Sequence, residues 1–285
     1  MKHILIAVPT MAGVMKAKTA TTLVLLMRQL TKAGIEADYL NVDSSDIVYA
    51  RNLYAREVLQ SKTLDGLLFV DSDMQFRPAL VMKMLRLEAD LVAAAYPKRM
   101  LDLDQFARAM AEGGAYTPES KLKALSNTLQ YTVIPSWDTP RVGKLAVKRG
   151  FARMAAAGMG CALISRRVLE TMIDQKAVER RKDVIDGVEH VGWGFFDCVK
   201  VGEISLSEDF SFCYRWTRNL GRDLWVCVDE AVSHLGDFVY QGRYLDRLTP
   251  VAAPAPAPGP QAEPEPVAAE TPDSNMIELD IDLLR

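Results

Sequence analysis

The sequence predicts an α/β fold, a mostly parallel central sheet flanked by helices, followed by a flexible Pro/Ala-rich C-terminal tail. Three observations carry this. Short apolar runs bounded by turn residues alternate with helical patterns through the first hundred residues, the order that builds right-handed crossovers. One of those runs, Leu67-Leu68-Phe69-Val70, is apolar without interruption after Gly66, the pattern of a strand covered on both faces. Eight of the fourteen prolines fall between Pro250 and Pro272, among alanine and glutamate. Such a segment buries no core and extends at about 3.1 Å per residue, up to ~70 Å in all.

Taken in order, His3 to Val8 reads as the first strand, ended by Pro9-Thr10. Lys18 to Ala33 is a helix closed by Gly34, with Leu23, Leu26, Met27 and Leu30 on one stripe. Ala37 to Val42 is a second strand. Asp43-Ser44-Ser45-Asp46 offers capping oxygens to a helix from Ile47 to Gln60, which carries Arg51 and Asn52. The central strand follows, and Pro78 opens a helix reaching Glu88. Leu91 to Tyr96 is a fourth buried strand and leaves Pro97-Lys98-Arg99 at its end.

Between Met100 and Gly150 the periodicity fails, interrupted by Gly113-Gly114, Pro118, Pro135 and Pro140. Arg141, Lys144, Lys148, Arg149 and Arg153 form a basic cluster there, either a solvated surface or a collector of anions. Small residues from Ala155 onward precede another strand. Among them Gly158 and Gly160 permit close approach by a ligand or by neighbouring backbone. A helix covers Arg167 to Asp174, and the aromatic loop Gly192 to Asp197 either lines a pocket or plugs a core. Ser207 N-caps a helix whose first turn holds Glu208 and Asp209, acids that suit the helix dipole. Leu224 to Val228 is a strand, and Ser233-His234 sits in a loop after it.

Composition narrows the classes. The 285 residues are 49% hydrophobic and 25% charged, ordinary for a globular protein, and no apolar run approaches a membrane span. Met1-Lys2-His3 and the apolar run after it are too short for a secretory signal. Cys161, Cys198, Cys213 and Cys227 contain no C-x-x-C pair, so reduced thiols and a cytoplasmic location are expected rather than a zinc site. The net charge of −3 hides an asymmetry: residues 250–285 hold seven acids and one arginine, leaving the rest mildly basic at +3. That balance accommodates anionic nucleotides without being the footprint of a nucleic-acid binder. Neither G-x-G-x-x-G after the first strand nor a P-loop is present, which disfavours nicotinamide enzymes and P-loop NTPases.

The chemistry gathers at Asp71-Ser72-Asp73. Of three Asp-x-Asp pairs, the others being Asp102/Asp104 and Asp280/Asp282, only this one follows a buried strand. Alternate side chains of an extended chain share a face, so both carboxylates are expected to point the same way at the sheet's carboxyl edge, where open α/β sheets bind ligands. Paired carboxylates there suit Mg²⁺ or Mn²⁺ on a phosphorylated substrate.

The order of a first strand ending in a polar turn, Ala50-Arg51-Asn52, a buried strand into Asp71-x-Asp73, Gly158-x-Gly160, Ser207-Glu208-Asp209 and a late Ser233-His234 resembles the GT-A glycosyltransferases, in particular family 2-like members of bacteria and phages. The resemblance spans residues 3–240, is weakest from Met100 to Gly150, and lacks the Q-x-x-R-W signature of processive polysaccharide synthases. It implies a GT-A-like, Rossmann-like catalytic domain over residues 1–249 and a nucleotide-diphosphate sugar, UDP- or GDP-linked, as donor to an acceptor hydroxyl. Pro9 and Thr10 would border the base, and Arg51 would meet the nucleotide or its phosphates. Asp71 and Ser72 would lie near the ribose, and Lys98 or Arg99 would add charge or grip the sugar. Gly158 and Gly160 join the donor site. Asp71, Asp73 and His234 form the implied metal set for Mn²⁺ or Mg²⁺. Asp209, with Glu208 second, becomes the acceptor's general base if the reaction inverts, and orients the acceptor if it retains. Two rival readings are a nucleotidyltransferase, for which Met11 to Lys16 is a poor phosphate loop, and a non-catalytic scaffold on the same fold.

The tail completes the reading: residues 250–272 are a linker and 273–285 an interaction segment. Ile277 to Leu283 alternates apolar and acidic residues, so residues 276–284 are expected to add as a strand to a sheet edge, on a partner protein or on another copy of this chain.

Overall fold

The computed structural model describes residues 1–112, 117–138, 144–185, 188–248 and 276–280. Its centre is a nine-stranded sheet. In spatial order the strands are Glu36–Asp43, His3–Thr10, Gly66–Val70, Cys161–Ser165, Leu91–Ala94, Leu224–Cys227, Phe151–Met154, Lys144–Lys148 and Met276–Asp280. Gly66–Val70 is buried throughout, and its alternation divides the core in two. Leu67 and Phe69 face a layer that includes Tyr54, Ala55 and Val58 of the helix Ile47–Gln60. Leu68 and Val70 face the helices Ala17–Lys32 and Pro78–Arg86 through Leu26, Leu30, Leu80 and Met84.

The expected mostly parallel sheet is corrected to a mixed one. His3–Thr10 runs parallel to both its neighbours, and Leu224–Cys227 runs parallel to Leu91–Ala94. Cys161–Ser165 enters antiparallel between Gly66–Val70 and Leu91–Ala94, and the three pairings beyond Leu224–Cys227 are antiparallel as well. A parallel neighbour needs a crossover of a dozen or more residues, whereas antiparallel neighbours need only a turn. Arg149-Gly150 supplies such a turn between Lys144–Lys148 and Phe151–Met154, with φ of 52° and 79°.

Three other expectations are resolved. The stretch after Met100, aperiodic in sequence, holds two helices, Leu103–Glu112 and Pro118–Thr128, the second opened by a capping box between Thr117 and Ser120. The aromatic loop is a core plug: Phe195 and Phe196 are fully buried, and Phe196 stacks on Phe212 and meets Phe69 edge-on. His234 lies on a strand, Val232–Leu235, and not in a loop. That strand pairs with the two-residue strand Met74–Gln75, too short a partner to leave a periodic signal.

Of the basic cluster, Lys148 and Arg149 are exposed on the edge hairpin and Arg153 pairs with Asp223, while Arg141 lies outside the described residues. The linker 250–272 and most of the 273–285 segment also lie outside them. Met276–Asp280 is a strand as the alternation predicts, and the edge it joins is the chain's own. Among the described residues no helix is long and apolar enough to cross a membrane.

Candidate active site

The acidic turn after Gly66–Val70 is tied down by three separate segments. Asp71 N–H donates to the Gly160 carbonyl at 3.0 Å, Lys16 N–H donates to the Ser72 carbonyl at 2.9 Å, and Leu235 N–H donates to the Asp73 carbonyl at 2.7 Å. Met74 N–H folds back to the Asp71 carbonyl at 3.1 Å, so the chain turns between the two aspartates. The expectation that both carboxylates share one direction is therefore corrected: each engages different partners.

Asp71 belongs to a buried ionic cluster. Arg51, from the helix Ile47–Gln60, is only 2% exposed and presents Nη2 to Asp71 Oδ1 at 3.2 Å. Its Nε lies 3.3 Å from Asp209 Oδ1 and 3.6 Å from Glu208 Oε1, and its guanidinium carbon sits 4.9 Å above the Phe69 ring. Burial alone would push this guanidinium down, but Asp71, Asp209 and Glu208 together hold it above its ordinary value. Three carboxylates thus share one cation. Arg51 Nε and Nη1 and Asp209 Oδ1 are buried without a hydrogen-bond partner. Nε and Oδ1 lie within ion-pair distance of each other, so the cluster is held by charge more than by directed hydrogen bonds.

Asp209 sits in the first turn of the helix Glu208–Cys213, which Ser207 caps through Phe210 N–H. Asp209 Oδ2 accepts from Met159 N–H at 3.0 Å. Its carboxyl is pushed up to about 7, first by burial and then by Glu208 and Asp71, against the opposing pull of Arg51. The helix continues as a π-helical turn, Tyr214–Asn219, a rare geometry that recurs at functional sites.

Asp73 belongs to a second, more open group. His234 Nε2 lies 3.3 Å from Asp73 Oδ2, and Arg99 Nη1 lies 3.2 Å from the same oxygen. His234 Nδ1 is 3.0 Å from the Pro97 carbonyl, and a carbonyl only accepts, so Nδ1 carries the ring proton. Nε2 is thereby turned toward the Asp73 carboxylate, which Arg99 approaches as well, so one nitrogen and one oxygen donor stand side by side. Asp73 and His234 are the sequence-predicted metal ligands that meet, while Asp71 turns to Arg51. Among the described residues no group of three or more His, Cys, Asp or Glu side chains is disposed to hold a metal ion.

The other expected residues fall around these two groups. Pro9 and Thr10 are buried at the end of the first strand, where Asn41 Nδ2 donates to Thr10 Oγ1 at 3.1 Å. Lys98 is exposed on the strand Pro97–Leu101 beside Arg99. Gly158 and Gly160 are buried, and their close neighbour is Tyr96: a Cβ on Gly158 would overlap its hydroxyl, and one on Gly160 would stand 2.9 Å from it and 3.0 Å from Asp71 Oδ2.

Tyr96 is the residue that sequence reasoning missed. Its hydroxyl accepts from Gly160 N–H at 3.0 Å, and its ring meets His234 edge-on at 5.6 Å, linking the two carboxylate groups. The signal was present, since an aromatic follows the small-residue strand Leu91–Ala94, two residues before Lys98. Asn52, next to Arg51 on the same helix, is a second such residue. It accepts from Phe196 N–H at 2.9 Å and donates to Asp197 at 3.0 Å, fixing the aromatic plug beneath Arg51.

The sequence matches no protein-family model and no curated protein. Among solved structures it is similar to A197 from STIV, at 14% identity over 83% of this chain and 87% of that one, with a TM-score of 0.43.

Proposed function

We propose that the chain is a metal-dependent, GT-A-like glycosyltransferase, moving one sugar from a nucleotide-diphosphate sugar, UDP- or GDP-linked, to an acceptor hydroxyl, with residues 1–249 as its catalytic domain. The observation that carries the reading is the His234–Asp73 contact, where an imidazole oriented by its Nδ1–H bond to the Pro97 carbonyl faces a carboxylate at 3.3 Å. One nitrogen and one oxygen donor at the end of an inner strand would hold a hard or borderline divalent cation. Such a cation, Mn²⁺ or Mg²⁺, neutralises the charge that grows on a departing diphosphate.

The chain's own residues supply the rest. Asp209 has one oxygen held by Met159 N–H and the other without a hydrogen bond, facing Arg51 Nε at 3.3 Å, and a carboxyl near 7 is balanced to accept a proton from a hydroxyl at neutral pH. In an in-line displacement the acceptor oxygen bonds the anomeric carbon, its proton goes to Asp209, and the carbon–oxygen bond to the diphosphate breaks. Arg51 holds Asp71, Glu208 and Asp209 in place and keeps their mutual repulsion in check. Arg99, half exposed beside Asp73, is free to turn to phosphate when a cation takes that carboxylate. Thr10 and Pro9 close the floor toward the base, and Asp71 and Ser72 lie toward the ribose.

The test is a thermal-shift and calorimetric screen of UDP- and GDP-sugars with and without Mn²⁺. Ligand at a hundred times its Kd adds about 2.7 kcal/mol, several degrees in Tm. The expected result is nucleotide stabilisation that requires the metal and disappears in Asp73→Asn. Absence of any metal-dependent stabilisation overturns the reading.

A further inference from the structure

The edge strand Lys144–Lys148 and the last described strand, Met276–Asp280, match each other in three independent ways. Their antiparallel register sets Ile277 opposite Val147 and Leu279 opposite Leu145, so apolar positions of the tail fall level with the two edge-strand residues that belong to the core. On the alternate positions Asp280 is the register partner of Lys144, and Glu278 that of Ala146. The surrounding charges also complement: the hairpin exposes Lys148 and Arg149, whereas residues 250–285 carry seven acids and one arginine. Lys144, Lys148 and Arg149 of the basic cluster and the alternating tail, none with a role in the proposed reaction, are explained together.

We propose that residues 276–280 are a built-in edge clip. They dock in cis on Lys144–Lys148 and close the open edge of the central sheet against pairing with other chains. Without the clip, Lys144–Lys148 is the outermost strand and offers a row of unpaired N–H and C=O groups, the template for edge-to-edge association. Sequence length makes the cis path feasible. Residues 249–275 separate the last helix, Tyr244–Leu248, from the clip, and a chain of that composition reaches about 80 Å at ~3.1 Å per residue. A tether of this kind gives an effective concentration on the order of 1 mM, far above the micromolar concentration of a second copy. The occupant is therefore the chain's own tail.

Hydrogen exchange on the full chain tests this. In the wild type the amides of residues 144–148 exchange slowly, to the same extent at 1 and 100 μM, with the protein monomeric by sedimentation. The double variant Ile277→Pro/Glu278→Pro removes an N–H from each side of the clip's backbone, so exchange at 144–148 accelerates at least tenfold while strand Gly66–Val70 stays protected. Pairing specificity is read from Lys144→Glu and Asp280→Lys, each of which accelerates exchange, whereas the double swap restores protection. Equal protection in wild type and the proline variant means that the tail is not docked, and overturns the proposal. Protection that rises with concentration alongside a dimer assigns the edge to a second copy, and overturns it too. Failure of the charge swap to rescue rejects the register.

Discussion

Replacing Arg51 with methionine keeps roughly the volume of the side chain and removes its charge. The consequence follows from the three carboxylates it serves. Removing one partner of a buried ion pair costs about 3–5 kcal/mol, because the other charge is left uncompensated. Asp71, Glu208 and Asp209 retain 25%, 18% and 16% side-chain exposure, so water relieves part of that and the lower end applies, about 3 kcal/mol at pH 8. The penalty has a pH signature that a simple packing defect lacks. Burial already raises the Asp209 carboxyl in the fold to about 7. Between its unfolded value and about 7 the native state therefore binds more protons than the unfolded state. Stability from this group is present at low pH and is lost as pH rises through about 7. Without Arg51 the Asp209 carboxyl loses the charge that pulls it down and rises further, and protonation relieves it. Arg51→Met should thus cost about 3 kcal/mol at pH 8 and less than half of that at pH 5.5. Urea unfolding followed by tryptophan fluorescence at both pH values measures it. A loss below about 1 kcal/mol at pH 8, or one equal at both pH values, refutes the view of Arg51 as the cation that three acids share.

Three further outcomes are expected. Asp209→Asn should cut turnover by about 10²–10⁴, the range for a lost general base, and should flatten the pH–stability slope between pH 4 and 7; a variant above a tenth of wild-type turnover assigns the proton to another group. His234→Ala should weaken Mn²⁺ affinity at least tenfold, as seen by electron paramagnetic resonance, with the unfolding midpoint changed by only a few degrees; unchanged affinity removes His234 from the cation site. Gly158→Ala forces its methyl into the Tyr96 hydroxyl and should destabilise by about 1–3 kcal/mol, while Tyr96→Phe should recover part of that loss in the double variant. Strict additivity of the two would show that they do not share the space.

The elements that sequence resolved are those where local pattern and burial agree. The first strand, the helix carrying Arg51, the uninterrupted run into Asp71 and the Ser207 cap lie at or within a few residues of their expected bounds. Glu208, Asp209, Asp71 and Arg51 were each legible as candidates. Their meeting around one guanidinium was not, because tertiary contact between a mid-chain strand and a late helix leaves no mark in either segment. His234 shows the same limit. It was legible as a late histidine, but its position depends on a two-residue strand and on the Pro97 carbonyl, neither of which has a compositional signature. Tyr96 looked like an ordinary strand end. Its importance depends on two glycines that leave room for its hydroxyl.

The misread sheet direction and the site are connected. His3–Thr10, Gly66–Val70 and Leu91–Ala94 run the same way, so Thr10, Asp71 and Tyr96 all emerge at one edge. Cys161–Ser165, inserted between the last two, runs against them, with Cys161 level with Val70 and Ser165 level with Gly66. Its beginning, not its end, reaches the same edge. The segment just before it, Gly158 to Gly160, is thereby delivered beside Asp71, where the Gly160 carbonyl accepts from Asp71 N–H and Met159 N–H holds Asp209. A parallel strand in that position would present Ser165 and the start of the helix Arg166–Asp174, bringing a cationic side chain where a backbone donor and two glycines now stand. Asp209 would lose the backbone contact that fixes one of its oxygens while the other faces Arg51. The reversed strand is what allows a buried acid and a close-packed tyrosine to share the carboxyl edge with Asp71. A sheet of uniform direction could not build this constellation from the same residues.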